Sequence, residues 1–247
     1  MTTVPPSLVG GVRLLSLDAG NTVVFFDHAR LASICEAAGH AVGRFDLEAA
    51  EGRAKRRHLD DAMETVAWAH DGAPGARAWG QMIGTLVVEA GAPRAAVRVI
   101  LERAWAGHVR KNLWSVVPEG LRHALAWLAS TGVKLGVVSN SEGMLDALFR
   151  NLALRELFHV FLDSGVVGVE KPDPRIFDMV RAPFGFAADE VLHLGDMVST
   201  DIVGARRAGM RAALIDPFGH FDALEPDVTR VESVVAVVEA MLASSAR

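Results

Sequence analysis

LLSLDAGNT, residues Leu14–Thr22, is an apolar run that ends at a carboxylate and then a small, turn-forming stretch. Four residues without the polar alternation of a half-solvated strand suit a strand buried on both faces. Four more runs repeat the pattern, each closing on a polar residue or a turn. They are Val133–Val138 before Ser139, His159–Leu162 before Asp163, Val191–Leu194 before Gly195-Asp196, and Ala212–Ile215 before Asp216. Helical patterns lie between them. Leu121, Leu125 and Leu128 share one helix face, as do Met144, Leu145, Leu148 and Leu152, while Ile202, Ala205 and Ala208 precede a stop at Gly209. Strands alternating with helices predict βαβ units, hence an α/β fold with a Rossmann-like parallel sheet.

Residues 25–115 break that alternation. The spacing there predicts helices alone, at Leu31–Ala38, Leu47–Trp68, Ala76–Glu89 and Pro93–Lys111, and the block holds Trp68, Trp79, Trp105 and Trp114. An all-helical block inserted after the first strand reads as a second domain. The expected division is a core of residues 1–24 and 116–247 and a helical cap of residues 25–115. The tail at Ala243–Arg247 is expected to fray.

Composition narrows the function classes. The 247 residues are 51% hydrophobic and 22% charged, which is globular rather than disordered. With 25 Lys+Arg against 30 Asp+Glu the formal charge is -5, so no basic surplus exists to hold nucleic acid. A single cysteine, Cys35, forms no internal disulfide and fits a cytoplasmic setting. The opening residues lack the pattern of a signal peptide, and no apolar stretch approaches the ~18–20 residues of a membrane span. Tyrosine is absent altogether, which excludes any chemistry that needs a phenol. Lysine occurs at 55, 111, 134 and 171 alone, so each can be weighed singly.

Ligands of parallel sheets sit at the carboxyl ends of the strands. The polar residues expected there are Asp18, Ser139, Asp163, Asp196 and Asp216. Gathered carboxylates repel one another unless a cation or proton offsets them. Several acids, a hydroxyl and nearby Lys171 therefore point to a site for Mg²⁺ and phosphate, because Mg²⁺ takes carboxylate oxygens and shares them with phosphate. Taken singly, each acid reads as readily as a turn or helix cap.

Four stretches in order resemble the motifs of the haloacid dehalogenase superfamily. They are LLSLDAGNT at Leu14–Thr22, GVVSN at Gly136–Asn140, GVEKPDPRIF at Gly168–Phe177 and LHLGDMVSTDIVGARRAGM at Leu192–Met210. The resemblance covers nearly the whole chain, and the helical insert matches the family's cap between its first two motifs. It implies a hydrolase acting on a small phosphorylated metabolite through an aspartyl-phosphate on Asp18. Mg²⁺ would be held by Asp18, the carbonyl of Gly20 and Asp196, with Asp201 binding through water or orienting the ligands. Ser139 would hold the phosphoryl oxygens, with backbone N–H groups near Ala19, Gly20 and Asn140, while Lys171 would neutralise charge on nucleophile and phosphate.

One position departs from the pattern. The family's phosphatases carry a second Asp two residues after the nucleophile, as acid and then base; here it is Gly20. General acid–base help is worth ~10²–10⁴-fold. Esters of poorly acidic alcohols should therefore turn over badly, whereas acyl and aryl phosphates should suffer less. Asp27, His28 or His58 are candidate substitutes. The family's dehalogenases carry Tyr there, which disfavours that subfamily. Gly52–His58 resembles the G-x-x-K-x-x-H of phosphonoacetaldehyde hydrolases, in which a cap lysine, here Lys55, would form a Schiff base. Arg53, Arg56 and Arg57, if close, would depress its pKa, although such a stretch also reads as a solvated helix face. A third reading is a catalytically retired member that binds a phosphorylated ligand or a protein. His193 reads as a packed core histidine, and most of the cap tryptophans and Cys35 as core.

Overall fold

In the computed structural model, residues 4–59, 68, 70, 73, 75–221 and 227–245 are described, without the side chains of residues 56–59 and 245. A one-turn helix, α1 (Pro6–Val9), leads into β1 (Leu14–Leu17), which ends at Asp18. A short hairpin, β2 (Phe25–Phe26) with β3 (Trp114–Val116), brackets four helices: α2 (His28–Ala37), α3 (Arg44–Leu59), α4 (Ala76–Glu89) and α5 (Val97–His108). After it come α6 (Leu121–Ser130), β4 (Lys134–Ser139), α7 (Leu145–Asn151), β5 (Val160–Asp163) and α8 (Ser164–Val167). The chain closes with α9 (Pro174–Arg181), β6 (Val191–Gly195), α10 (Val203–Arg207), β7 (Arg211–Ile215), β8 (Arg230–Val231) and α11 (Val234–Ser245).

Six strands form one parallel sheet in the order β5-β4-β1-β6-β7-β8. The first strand of the chain therefore lies in the middle, and all four of its residues are buried. Helices α1, α6, α7 and α11 supply one covering layer, with Leu121, Leu125, Leu128, Val237 and Val238 packed on Leu15, Leu17 and Val137. The opposite layer joins Leu14 and Val138 to Ile176, Phe177 and Val180 of α9 and Ala205 of α10. Covering both faces explains why the strands read as unbroken apolar runs. The five expected strands fall within a residue of where they lie. The β2–β3 hairpin and β8 are too short to show a period, and all three were absent from the sequence reading.

The inserted helices have a core of their own, in which Leu31, Leu47, Ile83, Ile100 and Leu101 are fully buried around Trp79 and Trp105. Trp79 and Trp105 meet edge to face at 5.0 Å, worth ~0.5–1.5 kcal/mol beyond area burial. Cys35 belongs to this core, and burial pushes its thiol up to about 11. Beyond Leu59 the expected Leu47–Trp68 helix passes outside the described residues. Among the described residues no helix is long and apolar enough to cross a membrane.

Register decides what the sheet presents. In β1, Leu17 is level with Val137 of β4 and Leu194 of β6, and the Asp18 N–H donates to the Leu194 carbonyl at 2.8 Å. Asp18, Ser139 and Asp196 thus emerge side by side at the carboxyl edge, under the inserted helices.

Candidate active site

A cavity of about 340 Å³ opens between that edge and the insertion. Asp18, Ala19, Gly20, Ser139, Asn140, Lys171, Asp196 and Asp201 all line it. The sequence-derived set is brought together in full. Two other strand-end acids point elsewhere. Asp163 accepts from the Gly143, Leu145 and Gly165 N–H groups and so holds the loop after β4, while Asp216 accepts from His220 and Phe221 N–H.

Lys171 is the hub. Its Nζ donates to Asp18 Oδ1 at 2.5 Å and to Asp201 Oδ1 at 2.6 Å, with all three side chains buried. Asn140 sets where it stands, because the Asn140 side chain accepts from the Lys171 N–H at 2.8 Å and donates to the Lys171 carbonyl at 2.9 Å. Two residues later Asp173 caps α9 through the Arg175 N–H, with Pro174 at the first helical position. Burial opposes the ammonium charge, yet Asp18 and Asp201 hold it protonated above the ordinary lysine range.

Asp201 sits in a wide π-type turn, Val198–Ile202, where its Oδ2 accepts from the Met197 N–H at 3.0 Å. Its carboxylate folds back over Gly195 so closely that a Cβ there would lie 2.2 Å from Asp201 Cγ, which requires glycine. His193, expected as core packing, is fully buried but also reaches the site. Its Nε2 lies 3.2 Å from Asp201 Oδ1, and its Nδ1 lies 2.9 Å from Ser16 Oγ. Burial lowers the His193 pKa, so the neutral ring donates from Nε2 and accepts the Ser16 hydroxyl at Nδ1. Burial works against ionising Asp201, but Lys171 and His193 outweigh it and hold its pKa below the usual carboxylate range.

The insertion adds groups that sequence reasoning left open or missed. Lys55 of α3 reaches Asp196 Oδ2 at 2.7 Å and Glu51 Oε1 at 3.4 Å. Burial opposes its charge, but these two carboxylates raise its pKa above the ordinary value, the reverse of the depression expected from neighbouring arginines. Arg53 turns instead to Glu89. Glu51 also takes Asn21 Nδ2 at 2.5 Å and His28 Nε2 at 2.9 Å. Its pKa falls to about 2, because Lys55 and His28 outweigh burial. Behind the cavity lining, buried His108 accepts the Leu113 N–H at Nδ1 and so donates from Nε2 to Glu142, a lining residue, at 2.5 Å. Asp27 caps α2 through the Arg30 N–H, and the His58 side chain lies outside the described residues. Glu51–Lys55 and the Asp27 cap are local pairings, whereas those of Lys55 with Asp196, Arg53 with Glu89 and His108 with Glu142 join distant residues and leave no local signal.

The residues fit a divalent cation. Asp18, Asp196 and Asp201 are buried, with one carboxylate oxygen from each within 4.8 Å of the others. With Glu51 they make four carboxylates facing two ammonium groups, Lys55 and Lys171. The shortfall equals the charge of one Mg²⁺, and all-oxygen donors suit that ion. The same shortfall marks Asp18, whose pKa is pushed up to about 7 by burial and by Asp201 and Asp196, against the pull of Lys171. Asp196 is raised for similar reasons, with burial first.

Gly20 is where the site departs most from the expected pattern. A Cβ built there would lie 3.2 Å from Trp114 Nε1 and 3.3 Å from its Cδ1. The indole is itself held edge to face by Phe26 at 4.8 Å.

A family model described as haloacid dehalogenase-like hydrolase matches residues 12–209. The chain is 34% identical over 120 residues to haloacid dehalogenase-like hydrolase domain-containing protein 3 of Bos taurus, covering 49% of this chain and 47% of that one. It is 40% identical over 95 residues to the phosphoserine phosphatase of Thermus thermophilus, covering 37% of each. The chain thus spans half or less of the length of these curated relatives. Its fold matches the magnesium-bound hydrolase YfnB of Bacillus subtilis with a TM-score of 0.66 at 16% identity, over 93% of this chain and 98% of that one.

Proposed function

The chain belongs to the haloacid dehalogenase-like hydrolases, and from that premise we propose that it is a magnesium-dependent, cytoplasmic phosphatase of a small phosphorylated metabolite, with Asp18 as nucleophile. The observation that carries the reading is the buried cluster in which Lys171 bridges Asp18 and Asp201 beside Asp196. Asp18 attacks phosphorus in line, and phosphoryl transfer to it splits hydrolysis into two easier steps. Lys171 offsets charge on nucleophile and phosphate, Ser139 donates to a phosphoryl oxygen, and the N–H groups of Ala19, Gly20 and Asn140 complete the cradle. Asp18, the Gly20 carbonyl and Asp196 would hold Mg²⁺, with Asp201 orienting the set, and the ion would supply charge neutralisation at the transferring phosphoryl group. His193 keeps Asp201 in place. Residues 25–115 act as the cap that excludes water and selects substrate.

Gly20 itself supplies the leaving group no acid, so esters of poorly acidic alcohols turn over slowly. A carbon–phosphorus hydrolase would need Lys55 as a free amine, and Asp196 and Glu51 keep that amine protonated. A retired binding protein is separated from an enzyme by turnover itself. The test is phosphate release from acetyl phosphate with Mg²⁺ and with EDTA. Asp18→Asn should lose at least ~10⁴-fold in kcat while keeping its circular dichroism spectrum. Full Mg²⁺-dependent activity in Asp18→Asn would falsify the covalent reading.

A further inference from the structure

Two features of the cavity concern the part of the substrate that is not phosphate. The first is the exchange at position 20. The Trp114 indole is 3.2 Å from where a Cβ of residue 20 would lie, so a side chain there would press on the ring and the ring would have to give by a few tenths of an ångström. What lies beside position 20 in this site is an aromatic ring. An indole N–H can donate a hydrogen bond, but it has no proton to give up at neutral pH.

The second feature is the opposite wall. Trp79, Met82, Ile83 and Leu86 of α4 line the cavity at spacings of three, four and seven residues; Trp79, Ile83 and Leu86 are packed in the insertion's core behind it, and Met82 is the one of the four that stands exposed. Met82 keeps 38% of its surface exposed, as an apolar side chain facing open space rather than core does. Among the described residues the cations lining the cavity are Lys55 and Lys171, and both are paired with carboxylates. Glu142 and Glu170 add negative charge to the lining. Among the described residues a substrate body bearing a carboxylate or a second phosphate finds no free cation, while an apolar one meets Trp114 and Met82.

We propose that the site takes phosphoryl compounds whose leaving group is apolar and weakly basic, and that Trp114 selects it. Aryl phosphates and the mixed anhydrides of apolar carboxylic acids with phosphoric acid share this chemistry. The inference rests on the phosphatase reading and gives it a substrate class. In the first step the bond between phosphorus and the leaving oxygen breaks with its electron pair on that oxygen, which departs as the phenolate or carboxylate against Trp114. The phosphoryl group passes to Asp18. In the second step water adds its oxygen to phosphorus, Asp18 is released as carboxylate, and the proton goes to solvent.

Phosphate release is measured with Mg²⁺ on benzoyl phosphate, acetyl phosphate, phenyl phosphate and glycerol 3-phosphate, each corrected for spontaneous hydrolysis. Benzoate and acetate are similarly weak bases, so the first pair isolates apolar contact. The second pair contrasts leaving-group basicity. Benzoyl phosphate should exceed acetyl phosphate at least tenfold in kcat/KM, and phenyl phosphate should exceed glycerol 3-phosphate at least a hundredfold. Acetyl phosphate equal to or better than benzoyl phosphate overturns the apolar subsite. Glycerol 3-phosphate within tenfold of phenyl phosphate overturns the leaving-group rule. Trp114→Ala should shrink the benzoyl-to-acetyl ratio at least tenfold, and Met82→Glu, at the exposed rim, should shrink it too. An unchanged ratio in both folded variants overturns the assignment of the wall. No release from any of the four breaks the phosphatase reading itself, a result distinct from these.

Discussion

The sheet-edge side of the cavity comes from the ends of β1, β4 and β6 with the loops at Lys171 and Asp201, and it holds buried charges bound to one another. The opposite side comes from α3, α4 and β3, and among its lining residues Glu51, Lys55 and Gln81 are polar while the rest are apolar. On the proposed reading, one side would fix what is done to phosphorus and the other what phosphorus is attached to. The charged side allows little variation, since each group satisfies another: Lys171 needs Asp18 and Asp201, and Asp201 needs His193 and the glycine at 195. On the apolar side, exchanging one wall residue alters shape and contact but leaves no buried charge unpaired.

Lys171→Met attacks the contrast hardest. It strips the cation from Asp18 and Asp201, and kcat should drop on the order of 10²–10³-fold, as when an oxyanion donor is removed. Single-turnover kinetics would check it, and a loss seen in KM alone would place Lys171 with specificity. The next test uses acidity. With its pKa at about 7, Asp18 is protonated in the metal-free protein below that pH, and Mg²⁺ must displace the proton. Apparent Mg²⁺ affinity should therefore weaken by up to about tenfold per pH unit below pH 7 and level off above it, as linkage requires. Calorimetric titration between pH 5.5 and 8.5 would show the bend, and a flat profile would mean that Asp18 stays ionised throughout. The smallest expected effect crosses between the two sides. Lys55 sits against Asp196, so Lys55→Gln should raise Mg²⁺ affinity about tenfold, since a like charge that close shifts binding by an amount of this order. Weaker binding would make Lys55 an organiser of the ligands rather than a competitor.

How much was legible in the sequence follows the same divide. β1, β4, β5, β6 and β7 could be read because burial on both faces leaves unbroken apolar runs. Asp18, Ser139 and Asp196 could be read because a parallel sheet delivers its strand ends to one edge. Lys171 and Asp201 needed the order of the motifs as well. Glu51, His108, Glu142 and the place of Trp114 could not be read, because each depends on how a helix or hairpin of the insertion docks. His193 looked like packing since its two polar contacts, to Ser16 and Asp201, are made across the sheet and within a turn. Lys55 stands out for its spacing, but the deprotonation expected from its arginine neighbours is reversed by Glu51, one turn earlier on α3, and by Asp196, which the linear sequence does not bring near it.

The ring beside Gly20 has an optical consequence. The chain holds five tryptophans and no tyrosine, so its ultraviolet emission belongs to indole alone. Trp127 is exposed and serves as a constant background, whereas Trp114 lines the cavity against Gly20. Occupancy should therefore change the emission of Trp114 even in Asp18→Asn, where no chemistry follows. Comparing titrations of that variant with and without Trp114→Phe would read binding directly, without a label and without turnover.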